Sequence, residues 1–185
     1  MAARRGMSYD MAARARHSLV AVPLLAEGDR QHMLLEPSQS LAGVLETLIR
    51  RGGPCDVLVV SFAVAVAAAA RVAQVARSLT LLVGATAMKR GPQAYTDVAA
   101  LPRVRVVEAA THMKVSVMRG DAWGCVVSGS AHLTRPEGTE WLDITWSASY
   151  ADAVWAQIWG RHGQSDDTDP ARPASRRGPE PGRGG

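Results

Sequence analysis

A strand–helix–strand pattern between residues 56 and 84 restricts the fold more than any other feature of the sequence. Residues 56–62 (DVLVVSF) form a continuous run rich in β-branched side chains, and residues 79–83 (LTLLV) form a second run that ends at Gly84. Such uninterrupted apolar runs are typical of strands buried on both faces. The Ala-rich segment 63–78 between them predicts a helix, and strands joined in this way pair in parallel through a right-handed crossover. The sequence therefore predicts an α/β domain whose sheet contains parallel strands.

Length and composition predict one folded domain with different material at each end. The chain has 185 residues and 47% hydrophobic side chains, enough for a single core. Residues 1–17 are rich in Ala and Arg, whereas residues 163–185 are rich in Pro, Gly and Arg and lack large apolar side chains. A segment of the second kind cannot bury enough surface to order itself. We predict a flexible basic arm at 1–17, a domain at 18–162 and a disordered tail at 163–185.

Local signals predict further elements within this domain. An apolar stripe after Ser40, closed by Arg50–Pro54, predicts a capped helix. The run Leu19–Leu25 reads as an early strand or extended piece. Other segments predict a short helix at 93–100 and strands at 103–107 and 141–146. A last helix is predicted from Ser149, with Asp152 as a capping-box acid. Its packed apolar stripe consists of Trp155, Ile158 and Trp159.

The net charge of +4 comes from the ends of the chain. Residues 1–16 carry four arginines against one aspartate, residues 161–185 carry five arginines against four acidic residues, and residues 17–160 are balanced. Nucleic-acid binding through phosphate neutralisation is therefore compatible with the arms but is not indicated for the body.

Three absences in the sequence restrict the class of protein. The longest apolar run, 57–70, is shorter than the roughly 20 residues of a bilayer span, so no membrane insertion is expected. The N-terminal segment lacks the apolar core of a secretory signal, which makes the cytoplasm the default location. Cys55 and Cys125 form neither a disulfide framework nor a metal-ligand spacing, and Cys125 is expected to be a buried apolar filler. We expect no metal and no cofactor.

A predicted hairpin within Thr111–Glu140 carries the candidate chemistry. Residues 112–118 read as one strand, 119–124 as a polar turn and 125–128 as a second strand. Alternation along the first strand places His112, Lys114, Ser116 and Met118 on one face. The hairpin would bring the loop 129–132 beside His112 and Lys114. Two imidazoles, an ammonium and a hydroxyl at one sheet end would suit an anion.

The sequence of this hairpin resembles the HxK…GSxN signature of the phospholipase D superfamily. His112-Met113-Lys114 matches HxK, Gly129-Ser130-Ala131-His132 matches GSxN, and Glu140 stands eight residues after His132, where many small single-motif members carry Glu. The similarity covers residues 40–160, with its specific part in the hairpin region. It implies a mixed β-sheet flanked by helices, in a single repeat. It also implies a catalytic set comprising His112, Lys114, Ser130, His132 and Glu140.

The resemblance implies phosphoryl-transfer chemistry that needs no metal. An imidazole attacks phosphorus and carries the phosphoryl group covalently. The lysine and the hydroxyl stabilise the non-bridging oxygens, and a carboxylate can orient the imidazole. Because the family reaction uses two motifs and this chain has one, the resemblance implies a homodimer that brings two copies of His112 together. In this chain His132 stands where the signature has Asn, and no Asp follows Lys114 at the family's usual distance.

Three functional hypotheses remain open from the sequence. The first is a phosphodiesterase of the phospholipase D type acting on DNA, RNA or a related phosphodiester. The second is a catalytically degenerate member of that fold, used for binding or assembly in a phage-like or DNA-processing system. The third is a Rossmann-like nucleotide binder, which the lack of a Gly-rich loop after Phe62 disfavours.

Overall fold

The computed structural model describes residues 20–23, 25–134 and 138–162. The predicted arm at 1–17 and the predicted tail at 163–185 lie outside the described residues, so the proposed domain division remains a prediction. The strands are β1 (Arg30–Leu35), β2 (Asp56–Ser61), β3 (Ser78–Gly84), β4 (Val104–Ala109), β5 (Val115–Arg119), β6 (Gly124–Gly129) and β7 (Glu140–Trp146). The helices are α1 (Leu41–Gly52), α2 (Val66–Ala73), α3 (Ala85–Arg90), α4 (Pro92–Ala99) and α5 (Ala148–His162).

The strands of the described residues form one seven-stranded mixed sheet in the order β1-β7-β6-β5-β2-β3-β4. The strands β2, β3 and β4 are parallel, whereas every other neighbouring pair is antiparallel. The predicted parallel pairing of the two apolar runs is therefore confirmed, as is the mixed α/β sheet flanked by helices.

Helices cover both faces of the sheet. Successive side chains of each central strand point to opposite sides, so the same strand contributes to the cluster on each face. Val57 and Val59 of β2 pack in the larger cluster with apolar residues of α1, α2, α3 and α4. Leu58 and Val60 pack in the second cluster with Trp155 and other residues of α5. The burial of both faces explains why β2 and β3 read as uninterrupted apolar runs.

Helix α1 begins and ends where its sequence signals predict. The Gly43 N–H donates to Ser40 Oγ at 3.2 Å, so Ser40 is the N-cap. Gly53, at φ +96°, closes the other end by donating its N–H to Ile49 O at 2.8 Å. Arg50 and Arg51 occupy the last turn, where cations interact favourably with the helix dipole.

Helix α2 is shorter than the predicted helix at 63–78 because the chain after β2 is used for another contact. Val64 forms a β-bridge with Leu133, and the Ala65 N–H donates to Leu133 O at 2.8 Å. These bonds hold residues 62–65 in an extended segment beside the loop that follows β6. The helix starts only at Val66, and the loop is anchored to the sheet edge.

Three other elements differ from the sequence prediction. Strand β1 and helix α3 were not predicted, because short segments such as RQHMLL carry weak periodicity. Of the two alternatives given for the run Leu19–Leu25, a strand is not formed at residues 20–23, although Val20 and Val22 are buried at 2% and 3% exposure. In α5, Asp152 bonds to Arg119 Nε at 2.6 Å rather than serving as a capping acid, while Trp155 and Ile158 pack in the core as expected. Cys125 is fully buried, as predicted.

Candidate active site

The predicted site residues come together at one edge of the sheet because of the strand directions. β5 runs antiparallel to both β2 and β6, and its first residue, Val115, pairs with Val60 and with Ser128. The end of β2, the start of β5, the end of β6 and the start of β7 therefore lie along the same edge. This edge carries His112 and Lys114 just before β5, Ser130 and His132 just after β6, and Glu140 as the first residue of β7.

The hairpin is present, but its first strand begins three residues later than predicted. β5 starts at Val115, the first residue that pairs with both β2 and β6. His112, Met113 and Lys114 therefore lie in the segment that enters the strand. The Gly129 N–H donates to Lys114 O at 3.3 Å, which fixes the loop after β6 beside this segment.

Ser130 links the loop after β6 to the start of β7. Its hydroxyl donates a short hydrogen bond to Glu140 Oε2 and accepts the Trp141 N–H at 3.1 Å, while its own N–H donates to Trp141 O at 3.1 Å. In the described part of the chain, the carboxylate of Glu140 thus engages Ser130 and makes no hydrogen bond to the imidazole of His112. Glu140 positions the hydroxyl in this structure.

Gly129 is required by close packing of the backbone. A Cβ at this position would stand 2.1 Å from Trp141 O and 2.8 Å from a methyl carbon of Leu142. Only a residue without a side chain lets β6 approach β7 closely enough for Ser130 to reach Glu140. Gly129 and Ser130 therefore act together: the glycine allows the close approach of the strands, and the serine makes the hydrogen bond to Glu140.

Phe62 contacts both imidazoles and is a residue that the sequence analysis missed. Its ring stacks on His112 with centroids 5.8 Å apart and planes 9° apart, and it meets His132 at 6.3 Å and 57°. It is the only phenylalanine in the chain and follows the last residue of β2 directly. That position, at the carboxyl end of a buried strand, was the available signal.

The imidazole of His132 is partly buried, and one of its two ring nitrogens contacts Ser61. Ser61 Oγ lies 3.3 Å from its Nδ1 atom. Burial lowers the pKa of His132 below its usual value, and the charge of Lys114 lowers the pKa further, whereas the charge of Glu140 acts in the opposite direction. The imidazole of His132 is therefore biased toward the neutral form.

Hollows lie on the described surface beside Leu48 and Trp146 and beside Leu34 and Trp141, and none of the five predicted residues lines either of them. Within residues 20–23, 25–134 and 138–162, no three His, Cys, Asp or Glu side chains are grouped to hold a metal ion. No described helix is long and apolar enough to cross a bilayer.

We expect Phe62→Leu to lower activity at this site without unfolding the protein. Leucine keeps an apolar side chain at a partly buried position but removes the flat surface against which the His112 ring lies. Loss of the stack should disorder the imidazole and reduce kcat by about 10-fold or more, since small misplacements of reacting groups cost that much. The measurement is kcat for the phosphodiester hydrolysis that we propose for this site, with Phe62→Tyr as the control that retains the ring. Equal kcat for the leucine and wild-type proteins would contradict a positioning role.

Solved structures with this fold include two that illustrate the similarity. The first is polyphosphate kinase from Porphyromonas gingivalis, with a TM-score of 0.52 and 11% identity; the match covers 78% of this chain and only 27% of the kinase. The second is a phospholipase D family member, Nuc, from Salmonella typhimurium, with a TM-score of 0.51 and 15% identity, covering 72% of this chain and 97% of Nuc. No family model and no curated protein sequence matches the chain.

The fold and the sheet-edge cluster thus define an α/β protein with the architecture of a phospholipase D family member. At this level of identity the likeness is one of fold. It agrees with the architecture that the HxK and Gly-Ser motifs imply.

Proposed function

We propose that the protein is a metal-independent phosphodiesterase that acts through a phosphohistidine intermediate on nucleic acid or a related phosphodiester. The observation that carries the proposal is the arrangement of both halves of the motif at one sheet edge: Lys114 O accepts the Gly129 N–H, and Phe62 contacts both His112 and His132. The similarity of the fold to phospholipase D family member Nuc supports the same reaction class.

The proposed reaction has two displacements at phosphorus. A ring nitrogen of His112 attacks phosphorus, the bond to the leaving oxygen breaks, and a second imidazole gives that oxygen a proton. Water then attacks the phosphohistidine, returns a proton to the second imidazole and releases His112. Lys114 stabilises the charge that develops on the non-bridging oxygens. The Ser130 hydroxyl, positioned by Glu140, lies in the same cluster.

The second imidazole is proposed to be His112 of another copy of this chain, placed across a two-fold axis. His112 is exposed and makes no hydrogen bond within the described residues, so its ring nitrogens are accessible to substrate. Sedimentation of the active species tests the dimer, and an active monomer would contradict it.

Nucleic acid is the proposed substrate class, because small single-motif members of the superfamily whose signature this chain resembles are often nucleases. The Arg-rich segments 1–16 and 161–185 would add attraction to a polyanion. A lipid substrate is disfavoured by the lack of an evident amphipathic membrane-binding helix in the sequence.

Hydrolysis in the presence of EDTA tests the proposed reaction. We expect the wild-type protein to cleave bis-p-nitrophenyl phosphate and plasmid DNA with the chelator present, and Lys114→Ala to lower kcat/KM by about 100-fold or more, as for loss of one charge-stabilising donor. The chain has one other lysine, the exposed Lys89 of α3, so Lys89→Ala is the matched control and should retain activity. Activity that disappears with EDTA, or that survives in Lys114→Ala, would refute the mechanism.

A binding or assembly module of the same fold is the second candidate. The histidine at the Asn position and the balanced charge of residues 17–160 favour it. A folded wild-type protein without hydrolysis on either substrate would support this alternative over the enzyme.

A further inference from the structure

Ser61 fixes the position of the hydrogen on His132. This serine is 1% exposed, and its hydroxyl donates to Ala63 O at 2.7 Å. The same oxygen accepts the Leu133 N–H at 3.4 Å. A serine hydroxyl has one hydrogen and two lone pairs, so only one lone pair remains for the His132 Nδ1 atom 3.3 Å away. The Nδ1 atom must therefore carry a hydrogen and donate it to Ser61.

This assignment leaves the Nε2 atom of a neutral His132 without a hydrogen. A neutral imidazole has one N–H, and here that N–H is used on Ser61. In the phospholipase D signature that this loop resembles, the residue at this position is asparagine. Its NH₂ group has two donors, so it can donate at any pH. Neutral His132 would instead present a lone pair to a phosphate oxygen, which is repulsive, whereas the imidazolium has a second N–H to donate.

The charged groups that act on His132 come from two elements. The Lys114 ammonium, just before β5, opposes its protonation, and the Glu140 carboxylate of β7 favours it. The contacting residues Phe62 and Ser61, at the end of β2, do not ionise in the physiological range. His112 is the third ionisable residue nearby, since its ring stacks on Phe62, which also contacts His132. A bound anion would offset the repulsion by Lys114 and so favour the imidazolium.

We propose that His132 binds a tetrahedral oxyanion at this sheet edge only as the imidazolium, so that anion affinity rises as pH falls through the titration of His132. The substrate class, a phosphodiester, rests on the proposed function. Proton and anion binding then reinforce each other, since linkage requires the two effects to be equal. With one proton taken up per anion, affinity changes by at most about tenfold per pH unit.

Sulfate binding measured by NMR titration at pH 5.5 and 7.5 tests the proposal, because sulfate keeps the same charge over this range. We expect wild-type affinity to be higher at pH 5.5, by on the order of tenfold. His132→Asn should bind with most of this pH difference lost, since the amide donates without titrating. His162→Asn, at the end of α5, is the matched control and should keep the difference. Retention of the full pH difference in His132→Asn would overturn the proposal.

Imidazole ¹⁵N spectra give a second readout, which does not depend on anion binding. Neutral His132 should show a protonated Nδ1 and a bare Nε2, and Ser61→Ala should shift the hydrogen toward Nε2 because its acceptor is removed. A wild-type spectrum with the hydrogen on Nε2 would refute the inference. The two proposals fail separately: pH-dependent sulfate binding without hydrolysis would refute only the enzyme, and hydrolysis without a His132-dependent pH effect would refute only this inference.

Discussion

His112→Ala should abolish phosphodiester hydrolysis, lowering kcat by at least about 10³-fold, because the proposed nucleophile is lost and neither water nor a neighbouring side chain replaces it. His112 is exposed and contacts Phe62 through its ring face alone, so the substitution should leave the fold intact. The measurement is kcat on bis-p-nitrophenyl phosphate with EDTA present. Intact-mass analysis of acid-quenched wild-type protein should also show a phosphorylated species that is missing in the variant.

His162→Ala is the control for a histidine change elsewhere in the chain and should retain wild-type kcat. Activity within a few-fold of wild type in His112→Ala would refute the nucleophile. A phosphorylated species in His112→Ala would place the covalent intermediate on another residue.

Mixtures of wild-type and His112→Ala chains test whether the site is shared. If each site needs His112 from both copies, random assortment of equal amounts leaves about one quarter of the dimers active. Independent sites would leave half of the activity. The measurement is the specific activity of co-refolded mixtures, compared with unmixed samples at the same total concentration.

Trp155→Ala should cost about 3–5 kcal/mol of unfolding free energy, the largest effect on stability that we expect from a single substitution. Trp155 is 1% exposed and packs with Leu58 and Val60 beneath the strands that carry the site. The Arg119 guanidinium also lies 5.1 Å from its ring centroid, while bonding to Asp152. The alanine variant would leave a cavity and remove this contact.

Urea unfolding gives the measurement, with two controls. Trp155→Phe should cost less, because phenylalanine keeps most of the ring and removes an indole N–H that is buried without a hydrogen-bond partner in the described residues. Trp159→Ala, at a partly buried position one turn further along α5, should also cost less. A loss below about 1 kcal/mol for Trp155→Ala would contradict the packing seen between α5 and the sheet.

The sequence analysis succeeded where the signal was local or strongly periodic. The βαβ unit, the Ser40 cap and the two strands of the hairpin could be predicted because apolar runs and capping residues act over a few positions. Strand β1 and helix α3 could not be predicted, since six-residue segments form there only with support from the rest of the fold.

Two contacts of the site also could not be predicted from the sequence. Phe62 and Ser61 stand about fifty to seventy residues before the histidines they contact. Their place at the carboxyl end of β2 marks the sheet edge on which they lie, but it does not show which side chains they meet there. His32, for which the sequence gives no partner, lies on β1 and pairs with Asp143 of β7. In each case a strand pairing distant in sequence creates the contact.

By itself the sequence determined the α/β class and the parallel unit, because uninterrupted apolar runs record strands that are buried on both faces. Alternation and the predicted hairpin grouped His112, Lys114, Ser130 and His132 as candidates, whereas Glu140 was a candidate only through the resemblance of the motif. The tertiary structure alone decided how these residues are held. The position of β5 between β2 and β6 brings Ser61 and Phe62 to the histidines, and the pairing of β6 with β7 brings Glu140 to Ser130. Hydrogen bonds and ring contacts depend on distances of a few ångströms between chain-distant groups, and only the assembled sheet sets those distances.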